Sequence, residues 1–171
     1  MVVESDDFAL TRATPEDEHT LQQLLELYAH ELSDVFGLEL DERGRYGYGR
    51  LPYYFSEPQT RHAFLVRHRG HLAGFALATR GSPASEDPEV YDVAEFFIVR
   101  AHRRSGLGRR VAFRLFDALP GRWFVRVASN NAAALKFWAQ VIAAYAHGAE
   151  RLSTRPGRAS PWQVYEFKSR T

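Results

Sequence analysis

The chain has 171 residues, 45% of them hydrophobic and 25% charged, with a net charge of +1 and no cysteine. That length suits one domain with its own core. The near-neutral balance excludes a global drive toward nucleic acid or an anionic membrane, and the missing cysteines exclude a disulfide framework or a thiol nucleophile. No apolar run reaches the roughly 18 residues of a membrane span, and an N-terminus bearing Glu4, Asp6 and Asp7 lacks a signal-peptide pattern, so a soluble, cytoplasmic protein without a membrane partner is expected.

Residues 1–7 are polar and read as a disordered end; residues 8–171 read as one domain, without internal repeat or linker. Alternation from Phe8 to Ala13 predicts a first strand. Thr14 is a good N-cap, Pro15 suits the first helical position and Asp17 is a capping acid. Leu21, Leu24, Leu25, Tyr28 and Leu32 then form one apolar stripe, which predicts a helix ending near Ser33 to Gly37. Residues 37–60 are rich in glycine, proline and tyrosine, with a short helix about Leu51 to Phe55. They read as an aromatic loop packed on a sheet or, with Glu39, Asp41 and Glu42, as the wall of a pocket for a cationic ligand. His62–His68 and His71–Arg80 predict a hairpin, in which Gly74 marks a bulge or a close approach. After the loop Gly81–Pro88 comes a strand over Val90–Val99.

That strand feeds the most informative stretch. From Arg100 to Arg110 the chain carries five arginines, no acid, and glycines at 106 and 108. A helix follows, its stripe formed by Leu107, Val111, Leu115 and Leu119, and ended by Pro120-Gly121. A helix N-terminus presents free amides and a positive dipole end, and glycines let a bulky anion approach. Strand, glycine turn and helix therefore predict a phosphate or pyrophosphate site, against the plainer reading of a tight turn with solvated arginines. A Walker A loop needs Lys then Ser or Thr after its second glycine, where Arg109 and Arg110 stand. A Rossmann fingerprint needs a third glycine, where Val111 stands. The strand Trp123–Val127, a helix opened by Asn131, and closing strands over Tyr145–Leu152 and Trp162–Phe167 complete the chain. The seven histidines show no metal-ligand spacing.

Arg103-x-x-Gly106-x-Gly108 after a strand, and Asn131 followed by a helix reaching Phe137-Trp138, resemble the GNAT superfamily of acetyl-CoA-dependent N-acetyltransferases; the specific part of the match spans about residues 90–145. The resemblance implies an α/β (α+β) fold: a central, mixed, mostly antiparallel sheet of about six to seven strands, splayed near its middle, with helices on both faces. It implies an acyltransferase moving acetyl from acetyl-CoA, a co-substrate, to a small-molecule or peptide amine by direct attack in a ternary complex, with no metal. By the same resemblance Glu95 is the catalytic base. Ile98 and Val99 would hold the pantetheine arm with their backbone, one amide supporting the oxyanion. Arg103, Arg104, Ser105, Gly106, Leu107, Gly108 and Arg109 would bind the phosphates, and Asn131 and Trp138 would flank the cofactor. Homodimers are frequent among such proteins.

One departure matters. Trp138 stands where many family members carry a tyrosine acting as general acid, and an indole N–H does not serve as an acid at neutral pH. Another tyrosine, Tyr145 or Tyr91, or water is then expected to protonate the thiolate. The rival readings are a non-catalytic acyl-CoA-binding module and a nucleic-acid contact through the arginine turn.

Overall fold

The computed structural model describes residues 2–5 and 7–170. In chain order the strands are β1 (Val2–Ser5), β2 (Phe8–Arg12), β3 (Arg61–His68), β4 (His71–Arg80), β5 (Tyr91–Ile98), β6 (Arg122–Ala128), β7 (Arg151–Arg155) and β8 (Trp162–Lys168). The helices are α1 (Glu18–Phe36), α2 (Tyr53–Ser56), α3 (Leu107–Ala118) and α4 (Ala132–Ala146). All eight strands lie in one sheet, ordered β1-β2-β3-β4-β5-β6-β8-β7, one strand more than the upper expectation. The extra one is β1: where a disordered end is expected, Val2–Ser5 pair antiparallel with Thr11–Phe8. Met1, Asp6 and Thr171 lie outside the described residues.

Every neighbouring pair is antiparallel except β5 and β6. Those two run parallel, and only Tyr91↔Trp123 and Asp92↔Phe124 face each other. Beyond Asp92 the two strands part, so the C-terminal half of β5 has a ladder on its β4 side alone. This splay fixes the position of the site.

Helices cover both faces, and each face has its own core. On one, α3 and α4 bury Val111, Leu115, Phe116, Trp138, Val141 and Ile142 against the sheet. Phe116 meets Trp123, Tyr145 and Phe167 edge-to-face at centroid separations of 5.0, 5.0 and 4.8 Å; such pairs contribute about 0.5–1.5 kcal/mol each beyond burial. On the other face α1 buries Leu21, Leu24 and Leu25 with Leu51, Tyr54, Phe75 and Phe97. The start of α1 follows the sequence: Pro15–Asp17 form a 3-10 turn, and the Thr14 amide donates to Asp17 Oδ2 at 2.9 Å. Gly37, at φ 61°, ends the helix.

Two glycines, one in β4 and one just before β6, stand where a Cβ would crowd its neighbours. A Cβ on Gly74, at φ 158°, would sit 2.0 Å from the Phe97 carbonyl oxygen. This close approach accompanies a register shift in the β3–β4 hairpin. Gly121, at φ 156°, faces the Tyr91 ring at 3.2 Å.

One boundary differs from expectation. The predicted strand over Tyr145–Leu152 begins instead at Arg151, and Tyr145 belongs to the last turn of α4. Val141, Ile142 and Tyr145 continue a helical stripe into the core, and only at His147 (φ 52°) and Gly148 (φ 77°) does the backbone leave it. No helix among the described residues is long and apolar enough to cross a membrane.

Candidate active site

A cleft of about 1750 Å³ opens where β5 and β6 part. One end is floored by the turn between β5 and α3. Here Arg104 (φ 61°) and Gly106 (φ 76°) take left-handed conformations, and Gly106 becomes the N-cap of α3. The amides of Arg103 and Arg110 bond within the turn, to the carbonyls of Arg100 and Gly106. The six amides between them, residues 104–109, have no protein acceptor among the described residues. A run of unpaired N–H groups in a left-handed turn at the positive end of a helix is a nest for a phosphate-bearing anion.

Gly106 and Gly108 serve this turn in different ways. Gly106 supplies the positive φ, and a Cβ there would meet nothing within 4 Å. At Gly108 a Cβ would lie 3.1 Å from Phe137 Cε2 and 3.8 Å from Ile98 Cγ1. Its smallness lets α3 seat against α4 and β5.

The middle of the cleft is the parted edge of β5. Val99 donates its amide to Ala73 O on the β4 side at 2.8 Å. Backbone groups alternate between the two edges of an antiparallel strand, so Ile98 and Phe96 direct theirs into the gap. The other end holds Glu95. The β4–β5 register slips between Leu77 and Ala78, which pair with Glu95 and Val93. The bulge puts Ala94 and Glu95 on the α1 face in succession, and it carries Val93 to the opposite core. Tyr48 donates its hydroxyl to Glu95 Oε1 at 3.1 Å. Burial raises the Glu95 carboxyl above the ordinary carboxylate range, against the lowering influence of the Tyr28 and Tyr48 hydroxyls and the Arg126 charge. Burial, and the negative charge of Glu95, raise Tyr48 in turn.

The family is set by comparison. The model of the acetyltransferase (GNAT) family matches residues 21–142, most of the chain. The chain belongs to the GNAT family of acetyltransferases. No curated protein matches it by sequence. Among solved structures, an acetyltransferase from Thermus thermophilus is 21% identical at TM-score 0.66, covering 98% of this chain and 99% of its own. The yncA protein of Salmonella typhimurium, solved with its cofactor acetyl-CoA, is 14% identical at TM-score 0.64, over 94% and 93% of the two chains. The aminoglycoside acetyltransferase AAC(6')-Ib in complex with coenzyme A is 12% identical at TM-score 0.68, over 94% of each. At these identities the likeness is one of fold.

Within the GNAT fold the residues singled out from sequence divide into three groups. Glu95, Ile98, Arg104, Gly106, Gly108, Arg109, Asn131 and Trp138 all line the one cleft. Asn131 spends its side-chain oxygen on the Ala134 amide at 3.1 Å, capping α4, and its NH2 stays available. Ser105 and Leu107 belong through their amides, since Ser105 Oγ donates to His102 O and Leu107 is buried.

Other expectations fail. Val99 cannot hold a pantetheine arm: its amide is bonded to Ala73, and its carbonyl accepts from His102. Arg103 is already committed to protein partners. Its Nε donates to Ile98 O at 2.6 Å and its two terminal nitrogens to Glu31 of α1 at 2.7 Å each. It staples the turn to β5 and α1 at the wall of the cleft. Tyr145 is buried between α3 and α4, donates to Asp117 at 2.6 Å and is pushed up to about 12. Tyr91 stacks on Trp123 at 5.2 Å. Neither lines the cleft, so neither is the acid for a thiolate held there. Trp138 is 7% exposed and packs edge-on to Phe96 at 5.1 Å. The acids Glu39, Asp41 and Glu42 stand outside the cleft, and Asp41 accepts the amides of Arg43 and Arg45 within its own loop.

Sequence reasoning also missed parts of the site. Tyr28, Tyr48 and Tyr54 were legible as aromatic but not as neighbours of Glu95. Asp92 is fully buried, bound by Arg126 through Nε at 2.8 Å and a terminal nitrogen at 2.7 Å, and by Ser82 Oγ at 2.5 Å. An acid within one apolar strand and an arginine within the next was the available signal for that pair.

Proposed function

We propose that the protein transfers the acetyl group of acetyl-CoA to an amine by direct attack within a ternary complex. One observation carries this reading: the unpartnered amides of residues 104–109 and the buried carboxylate of Glu95 open into the same cleft, on either side of a strand edge with no ladder partner. In this reading the amides of residues 104–109 hold the diphosphate, while the exposed guanidinium groups of Arg104 and Arg109 meet outlying phosphate oxygens. The pantetheine arm runs along β5 on the Ile98 amide and the Phe96 backbone, the Ile98 carbonyl being taken by Arg103, with the Asn131 NH2 beside it.

Glu95 accepts a proton from the amine, directly or through one water. The nitrogen attacks the thioester carbonyl, the C–N bond forms, and the oxyanion is met by a gap-facing amide of β5. The C–S bond breaks, and the thiolate takes a proton from solvent; a thiol pKa of about 8.5 makes that favourable at neutral pH without a dedicated acid. Because Glu95 starts above the ordinary carboxylate range, it is a stronger base than a solvated acid, provided it is ionised. The alternative, a module that binds acyl-CoA without turnover, draws on Trp138 at the customary tyrosine position. A desolvated carboxylate beside the strand edge has no use in such a module.

Thiol release from acetyl-CoA across an amine panel, paired with calorimetric acetyl-CoA binding, tests the reading. Gly108→Trp is expected to abolish binding while the far-ultraviolet spectrum is retained. Undiminished acetyl-CoA affinity in that variant removes the turn from the site, and tight binding without turnover on any amine establishes the non-catalytic module.

A further inference from the structure

We propose that the acceptor is an amine that also carries an anionic group, a carboxylate or a phosphonate, and that Arg61 holds that group. The proposal rests on the transfer reading above and specifies its second substrate.

The charges along the cleft motivate it. Only two acids line it, and Glu31 is committed to Arg103, so Glu95 alone faces an acceptor. A polyamine or aminoglycoside presents several ammonium groups, each costly to desolvate without a counter-charge. The same cleft carries Arg50, Arg61 and Arg158, besides Arg126, committed to Asp92, and Arg80, paired with Glu89 at 2.9 Å. One ammonium opposite Glu95 and one anion opposite arginine is the charge pattern this surface complements.

Arg61 is singled out by geometry. It faces Thr79 across β3 and β4, one column along from Ala63↔Leu77↔Glu95. Strand spacings of about 4.8 Å across and 3.3 Å along put the Arg61 and Glu95 backbones roughly 12 Å apart. Both residues line the cleft, with Tyr48 and Tyr54 between their charged ends. The floor between them is continuous: Glu95 accepts from Tyr48, Tyr54 lies next to Tyr48, and the Arg61 guanidinium sits over the Tyr54 ring, 5.7 Å from its centroid. Arg61 bonds Glu57 through Nε at 2.9 Å, and that partner is 47% exposed. The pair orients the guanidinium on the tyrosine rings, and its terminal nitrogens form the fork that a carboxylate or phosphonate matches.

The test is a panel of L-α-amino acids and aminoalkyl phosphonates, each set against its carboxamide or its decarboxylated amine, with spermidine and an aminoglycoside included. Thiol release is expected to favour the anionic member of each pair, with a KM about tenfold lower or better. Arg61→Gln is expected to erase that preference by raising KM for the anionic acceptor, leaving KM for acetyl-CoA unchanged, and Arg61→Lys to restore part of it. Faster transfer to the amides or to the polycations, with acetyl-CoA turnover intact, overturns the anionic acceptor while sparing the transferase. Acetyl-CoA that is neither bound nor consumed overturns both. An Arg61→Gln enzyme that keeps the full preference removes Arg61 from the role.

Discussion

At Glu95 the proposed role and stability pull in opposite directions. Its folded pKa is raised, chiefly by burial. The folded state therefore binds this proton more tightly than the unfolded chain does. The stabilisation tied to that proton is complete below the ordinary pKa and is lost as pH rises through the folded value. Above the folded value the ionised carboxylate thus costs the protein stability, which Glu95→Gln should return. The Gln variant is expected to melt higher than the parent at pH 7 and to show no such gain at pH 4, by calorimetry. The same change should lower kcat by about a hundredfold or more and remove the acid limb of the kcat/KM profile, which in the parent should lie above the ordinary carboxylate range. A variant that melts lower at pH 7 would mean that Glu95 is a structural partner of Tyr48 and not a strained base.

Among elements, the turn between β5 and α3 owes its shape to an ion pair that reaches it from α1. Arg103 bridges the Ile98 carbonyl and the Glu31 carboxylate, and its guanidinium carbon stands 5.5 Å from the Phe97 ring centroid. The Arg103 bonds and charge lower the Glu31 carboxyl below its ordinary value. A depressed carboxyl contributes stability above its unfolded pKa and loses it as pH falls through the folded one. Glu31→Gln should therefore cost about 1 kcal/mol at pH 7, since the pair is only part-buried, and nothing measurable well below pH 4. Its larger effect should be on the cofactor side. With the staple released, KM for acetyl-CoA should rise several-fold while the Glu95-dependent pH profile keeps its shape. An unchanged KM would show that the turn holds its form without α1.

At the scale of the whole molecule the splay between β5 and β6 has to be held open and closed at once. Two facing pairs join the strands at their starts, and the buried Asp92–Arg126 pair ties β5 to β6 at the point where they separate. Arg126 also stacks on Trp162 of β8, 4.7 Å from the ring centroid, and Ser82 brings the preceding loop to the same carboxylate. Arg126→Ala leaves an uncompensated charge in the interior and should destabilise by about 3–5 kcal/mol in denaturant titration. The double change Asp92→Asn with Arg126→Met should recover much of that loss. If the single variant costs under 1 kcal/mol, the splay is maintained by the helices alone.

The sequence by itself determined the order of the elements from β2 onward and the strand, glycine turn and helix of residues 91–118. These rest on local physics: apolar periods of two and near four, glycines where φ turns positive, and amides that any helix start leaves free. It did not disclose that Arg103 is spent on Glu31, that Val99 is spent on Ala73, or that Tyr145 is core. Each of those depends on a partner 26 to 72 positions distant, such as Glu31, Ala73 or Asp117, and pairing at that range leaves no periodic trace. Nor did the tyrosines at 48 and 54 announce whose neighbours they were. Only the tertiary structure decided that Glu95 shares its cleft with Arg50, Arg61 and Arg158, because that surface is assembled from the irregular loop, two strand ends and the β7–β8 turn, none of which carries the pattern alone.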